Sequence, residues 1–259
     1  MSDENFDEYD EPDVGPRYEA PESIDANRLV VALQQLHLVK DDPYMRSQAH
    51  NLAIVDQFLM SLEYNVLREL HERERTPPNT YFLSAQSQMW IFAAYELLRT
   101  WQQRARDFVK WADSGGFRDK LRSLKEKGDG YRHFGREIRI RQLEAAAADP
   151  IATKKILTDQ IAHLHIPYTR LEWIRVSIAK HEISGKNKDA AFTPGYGRIN
   201  SECGAIDYEL ENGVYSMGYI NRRDIADSIR KLDFSRTPPS EQDLQDFDAY
   251  MSGKFTPLP

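Results

Sequence analysis

Apolar residues recur along most of this chain at intervals of three and four. Leu29, Leu33 and Leu36 form a first short stripe, which Asp41, Asp42 and Pro43 are expected to end. Between residues 47 and 74, Leu52, Val55, Leu59, Leu62, Val66 and Leu70 line one helical face, and Pro77-Pro78 stop it because proline cannot continue a helix. A second long pattern opens at Ser84. Trp90, Ala94, Leu97, Trp101, Ala105, Phe108 and Ala112 are its inward positions, and Gly115-Gly116 close it. Two such helices joined by a short connection lie antiparallel. Shorter helical stretches run from Phe117 to Lys127 and from Tyr131 to Ala148. Pro150 then suits the first position of a further helix, with Ile151, Leu157, Ile161 and Leu164 inward. Pro167 is expected to restart the chain in the same way, opening a last long helix that ends near Ser184 before Gly185.

The period changes after Gly185. A Gly- and Lys-rich loop leads into "CGAIDYELENGVYSMGYI", which alternates around Asn212-Gly213 and predicts a β-hairpin. Asn221, with Asp224 three positions on, caps one short amphipathic helix. From Ser235 the chain carries Pro238-Pro239 and many acids and is expected to be mostly irregular. The fold class is therefore mainly α: a helical bundle with a small C-terminal β-hairpin and short helix. Its expected parts are a disordered acidic tail over 1–22, the bundle over 23–185, the loop, hairpin and helix over 186–234, and an irregular tail over 235–259.

Charge adds an asymmetry. The formal net charge is −7, but residues 1–22 hold nine acids against Arg17 alone, so that segment carries −8 and the remainder +1. Residues 99–141 hold thirteen Lys and Arg against six Asp and Glu. An acidic tail and a basic middle suit an anionic ligand, although solvated helix faces look the same in sequence. The N-terminus is acidic, with no apolar signal segment, and no apolar run approaches the ~18 residues of a membrane span. The single cysteine, Cys203, forms no internal disulfide. A cytoplasmic protein without a membrane partner is expected.

Most chemistry-bearing motifs are missing. There is no phosphate-binding glycine loop, no nucleophile elbow and no zinc-protease helix, and one cysteine excludes a cysteine zinc cluster. His163 and His165 stand two apart, pointing roughly 200° from each other on a helix, so they do not chelate one ion. No metal and no cofactor are expected. The densest basic run, "YRHFGREIRIR", offers Arg132, Arg136, Arg139 and Arg141 for phosphate contacts. "WQQRARDFVKW" mixes Trp101, Arg104, Arg106, Lys110 and Trp111, but Trp101 sits on the apolar stripe and belongs to the core.

One pair remains. Arg175 and His181 lie six residues apart, about 120° around a helix, on the last long helical stretch. An arginine can hold phosphate oxygens in a fork, and a histidine exchanges protons near neutral pH. Together they suit RNA cleavage without metal. The histidine would assist the 2′-hydroxyl or protonate the leaving oxygen, and the arginine would stabilise charge on phosphorus. The spacing is common by chance, and a surface arginine with a histidine near the Leu171–Ile174–Ile178 stripe would fit equally well.

A helical bundle with Arg175, then "VSIAK", then His181 on a late helix resembles the HEPN superfamily over roughly residues 45–185. That resemblance implies a homodimer pairing two such motifs, and a metal-independent endoribonuclease of a toxin–antitoxin or phage-defence type, with His181 as acid/base and Arg175 as phosphate stabiliser. Val176 stands where such proteins usually carry a polar residue. The competing expectation is a non-enzymatic dimeric protein that engages a protein partner through its acidic tail or hairpin.

Overall fold

The structure, a computed structural model, describes residues 18–126, 133–179, 197–211 and 216–252. Among these the architecture is mainly α. The helices are α1 (Arg28–Gln34), α2 (Pro43–Arg73), α3 (Thr80–Ser114), α4 (Phe117–Glu126), α5 (Phe134–Ala148), α6 (Pro150–Ala179), α7 (Arg222–Arg230) and α8 (Glu241–Met251). A small antiparallel sheet of β1 (Arg198–Ile199), β2 (Ile206–Glu211) and β3 (Ser216–Ile220) has the order β1-β2-β3.

The centre is α3, with α2 and α6 running antiparallel to it. Trp90 Nε1 on α3 donates to the Leu52 carbonyl of α2 at 3.0 Å, and Arg104, further along α3, reaches back to Asp42 at 2.7 Å. On the other side Tyr95 bonds Glu172 and Lys154 bonds Asp113, which is again an antiparallel register. Leu83, Ile91, Leu98, Trp101, Ala105 and Phe108 of α3 are buried against these neighbours. The connection between α1 and α2 is also core: Leu36, Leu38 and Val39 are buried, and Trp101 Nε1 donates to the His37 carbonyl at 2.6 Å.

Several boundaries depart from expectation. Asp42-Pro43 starts a helix rather than ending one. The Asp42 carboxylate accepts from the N–H groups of Tyr44 and Met45, and Pro43 needs no donor in the first turn. Pro167 does not restart the chain. It lies buried inside one continuous α6, where Leu164, Tyr168, Leu171 and Ile174 pack inward and tertiary packing outweighs the missing amide donor. The hairpin strands and the Asn221–Asp224 capping box of α7 are as expected, while the turn at Asn212-Gly213 lies outside the described residues. Residues 241–251 are helical, not irregular. Ser240 and Asp243 form a second capping box directly after Pro238-Pro239. At the other end, Tyr18 is buried, and a 3-10 turn spans Pro21–Ser23, so residues 18–22 are packed structure rather than disordered tail.

The sheet and α7 share the bundle's core: Ile206, Tyr208, Leu210, Ile220, Ile225 and Ile229 belong to the same apolar cluster as the helices. Gly204 shows how closely they seat. Its φ is +77°, and a Cβ there would come 2.0 Å from the Glu63 carbonyl oxygen of α2.

Beneath that seat is a buried ionic network. Arg222 is fully buried and donates from Nε and Nη2 to the two Glu63 carboxylate oxygens, both at 2.8 Å. It also bonds Asp56, whose second oxygen takes Arg230. Arg230 in turn meets Asp227, which also holds Arg223 at 3.0 Å. Burial alone would lower the Arg222 pKa, but Glu63 and Asp56 hold it above its ordinary value.

Candidate functional site

Arg175 sits near the end of α6, half-buried. Its guanidinium lies 4.8 Å from the Tyr95 ring centroid, and its Nε is buried with no hydrogen-bond partner. Tyr95 stacks on Tyr168 at 5.8 Å with an 18° interplanar angle and donates its hydroxyl proton to Glu172 at 3.1 Å. Burial and the bond to Tyr95 push the Tyr168 hydroxyl upward in pKa, so it stays protonated at neutral pH. Arg175 is thus pinned on an aromatic shelf between α3 and α6. His181 lies outside the described residues, as does Arg132.

The other basic candidates separate. Arg136 and Arg139 stand three apart on α5, on one face, and both line a cleft of about 660 Å³. Arg141 is exposed and does not line it. Helical phase divides the run: 139 and 141 are two residues apart and diverge, so Arg141 stands on another face of α5 from the cleft. The cleft gains Arg104 from α3, which sequence reasoning left among the residues around Trp101.

The geometry of this cleft follows from its elements. His133 caps α5, accepting at Nδ1 from the Arg136 N–H at 3.2 Å. That leaves the ring proton on Nε2 and brings the helix's positive end to the cleft wall. Arg104 is neutralised by Asp42 at 2.7 Å, the one carboxylate in the lining. Arg139 packs its guanidinium over Phe108, 4.7 Å from the centroid, with Trp111 at 6.0 Å. Its Nη1 is buried with no hydrogen-bond partner. Burial, aided by Arg104, pulls its pKa down to about 10. Gln142, one turn on and 7% exposed, donates from Nε2 to the Leu38 carbonyl at 2.9 Å, while its Oε1 is buried without a donor. Asp107 and Asp42 oppose that downward pull, so Arg139 feels counter-charge without a direct ion pair among the described residues.

The same corner opens into a second groove of about 620 Å³ between α2 and α3, which shares Asp42 and Arg104 and is walled by Leu52, Val55, Met89 and Leu97. Beyond it Ile54, Phe58 and Phe82 are exposed, with the Phe58 and Phe82 rings edge to face at 6.4 Å.

His163 and His165 serve the C-terminal segment. His163 Nε2 lies 3.2 Å from the Arg236 carbonyl, and His165 Nε2 lies 2.7 Å from the Asp248 carboxylate of α8. No cluster of three or more His, Cys, Asp or Glu that could hold a metal occurs among the described residues. Cys203 is buried, which pushes its thiol up to about 12 and leaves it a poor nucleophile. Among the described residues no helix is long and apolar enough to cross a membrane.

No protein-family model matches the chain, and no curated protein or solved structure is significantly similar to it.

Proposed function

We propose that this protein binds RNA and cleaves it without a metal, in the manner of the HEPN bundles it resembles in sequence pattern, as an endoribonuclease of the toxin or phage-defence kind. The observation that carries the binding half is the cleft where the guanidiniums of Arg104, Arg136 and half-buried Arg139 gather around one carboxylate, Asp42. A phosphate would balance that excess of positive charge. The cleavage half is supported by Arg175, whose side chain is held on Tyr95 and so loses little entropy on meeting a phosphoryl oxygen. His181, two residues past the described end of α6, is the proposed acid/base.

The test is cleavage of a mixed RNA pool in EDTA by wild type and by His181→Ala purified identically. Cleavage by wild type alone, leaving cyclic-phosphate ends, is expected, with RNA binding retained by the variant. Equal cleavage by both would place the activity elsewhere, and cleavage by neither would overturn the nuclease half.

A second reading, a dimeric interaction protein without catalysis, is favoured by the exposed apolar strip of Ile54, Val55, Phe58 and Met89. It expects concentration-dependent self-association by light scattering that Phe58→Glu abolishes.

A further inference from the structure

Charge is missing from one whole face of this molecule. Residues 47–62 of α2 and 80–95 of α3 include a single Asp, Glu, Lys or Arg, in a chain where such residues make up 29%. That one, Asp56, is buried and bound by Arg222 and Arg230, so it does not reach the surface. The two segments are neighbours, because Trp90 Nε1 donates to the Leu52 carbonyl. Together they expose Ile54, Phe58, Phe82 and Met89, the last at 63%. The groove of about 620 Å³ runs between them. Leaving such a surface in water costs free energy, and contiguous apolar patches of this kind mark interaction sites.

Size and polar chemistry say what covers it. Sixteen residues of helix run about 24 Å and two packed helices are about 20 Å across, so the face is about 500 Å² in projection. Side-chain relief adds to that, as do Tyr44 at the groove's end and exposed Phe134, which meets it edge to face at 6.2 Å. The total approaches the ~800 Å² that each partner gives to a stable complex. The polar residues in the groove between these segments are the amides Gln48, Asn51 and Gln86. An amide carries donors and an acceptor together, so it can pair with its own copy, which a Lys or a Glu cannot. A membrane-binding face has a basic rim and a nucleic-acid face has cations, and these two segments supply neither.

We infer that a second copy of this chain covers the face, α2–α3 against α2–α3, about a two-fold axis at the level of Val55 and Met89 in the middle of the two segments. This dimer rests on the second reading above and deepens it, because the mate, the face and the symmetry are now named. A two-fold contact sets like against like at its centre, so a charge there would repel its own copy, and none is there.

Sedimentation of the full-length chain at micromolar concentration is expected to show a dimer, equally at low and at high salt, because no exposed charge contributes. Met89→Glu places two like charges near the axis and is expected to raise the dimer Kd about thirtyfold or more, with the far-ultraviolet spectrum unchanged. Met89→Cys treated with a short bismaleimide is expected to give a covalent dimer, whereas Ile151→Cys, exposed at the start of α6, gives none. Cys203 is buried, which leaves the wild type as a silent control. The cysteine readout stands even if Met89→Glu fails to fold. A wild type that sediments as a monomer would overturn self-association altogether, and the second reading with it. A dimer that persists in folded Met89→Glu, or that cross-links at Ile151→Cys and not at Met89→Cys, would leave self-association in place and overturn this face. A dimer that falls apart in high salt would put charge in the contact and overturn it too.

Discussion

Two regions of this molecule draw arginine inward, fully in one and halfway in the other, and they do so on different terms. Under α7, Arg222, Arg223 and Arg230 each meet carboxylate oxygens from Asp56, Glu63 or Asp227. In the α5 cleft, Arg139 lies over two aromatic rings and makes no direct ion pair among the described residues, though Asp107 and Asp42 lie near enough to act on it. Burial costs a cation free energy in either place; the first region offsets it with direct ion pairs, whereas Asp107 and Asp42 oppose it at Arg139 without one among the described residues. The contrast separates arginine held by direct ion pairs from arginine held chiefly by aromatic packing. It also fits the pKa directions, upward for Arg222 and downward for Arg139.

The largest break in this comparison is Arg222→Met. It strands Glu63 and half of Asp56 in the interior, and a loss of about 3–5 kcal/mol in urea unfolding is expected. The same substitution at Arg139 should have the opposite sign. Removing a cation that lacks a direct ion pair should leave stability unchanged or raise it by up to about 1 kcal/mol, while RNA affinity falls about tenfold or more. A destabilised Arg139→Met variant would show that its aromatic packing, not its charge, is what the cleft needs.

The contrast was invisible in sequence. "NRRDIADSIRKL" and "YRHFGREIRIR" both show arginine among apolar residues at helical spacing, and nothing local tells which run will meet acids far away in the chain. The bundle itself was legible, because α2 and α3 each carry an apolar stripe over many turns. Pro43 and Pro167 were misread for one reason: proline marks a boundary only through its missing donor, and that loss is harmless in a first turn and can be outweighed by packing. The α8 helix had its Ser240–Asp243 box in plain view, hidden by the two prolines before it and its acids. Of the cleft lining, Arg136 and Arg139 had been singled out in the sequence. Arg104 and Gln142 were not, since they join the cleft through α3–α5 packing and a bond to the α1–α2 connection.

A smaller test isolates that connection, which borders the cleft through Asp42. Burial lowers the His37 pKa, with Asp41 opposing. The unfolded chain therefore takes up a proton near pH 6.5 that the folded chain resists. Stability from this group is full above that pH and declines as pH falls toward the folded value. Replacing His37 with Asn should flatten the acid side of a stability–pH profile by a fraction of the whole slope, as read from thermal melts between neutral and mildly acidic buffers.

The ionic network also imposes an order on how the molecule is made. Its bonds join residues 159, 166 and 174 positions apart. A chain leaving the ribosome presents Asp56 and Glu63 long before Arg222 and Arg230 exist, and until then the groove of α2 that holds them stays hydrated and open. The nascent bundle can settle its apolar stripes early, but it closes that seam only when the last quarter of the sequence arrives. Synthesis that stalls before Arg222 leaves an unfinished seam with two acids facing water, a ready foothold for quality-control proteases.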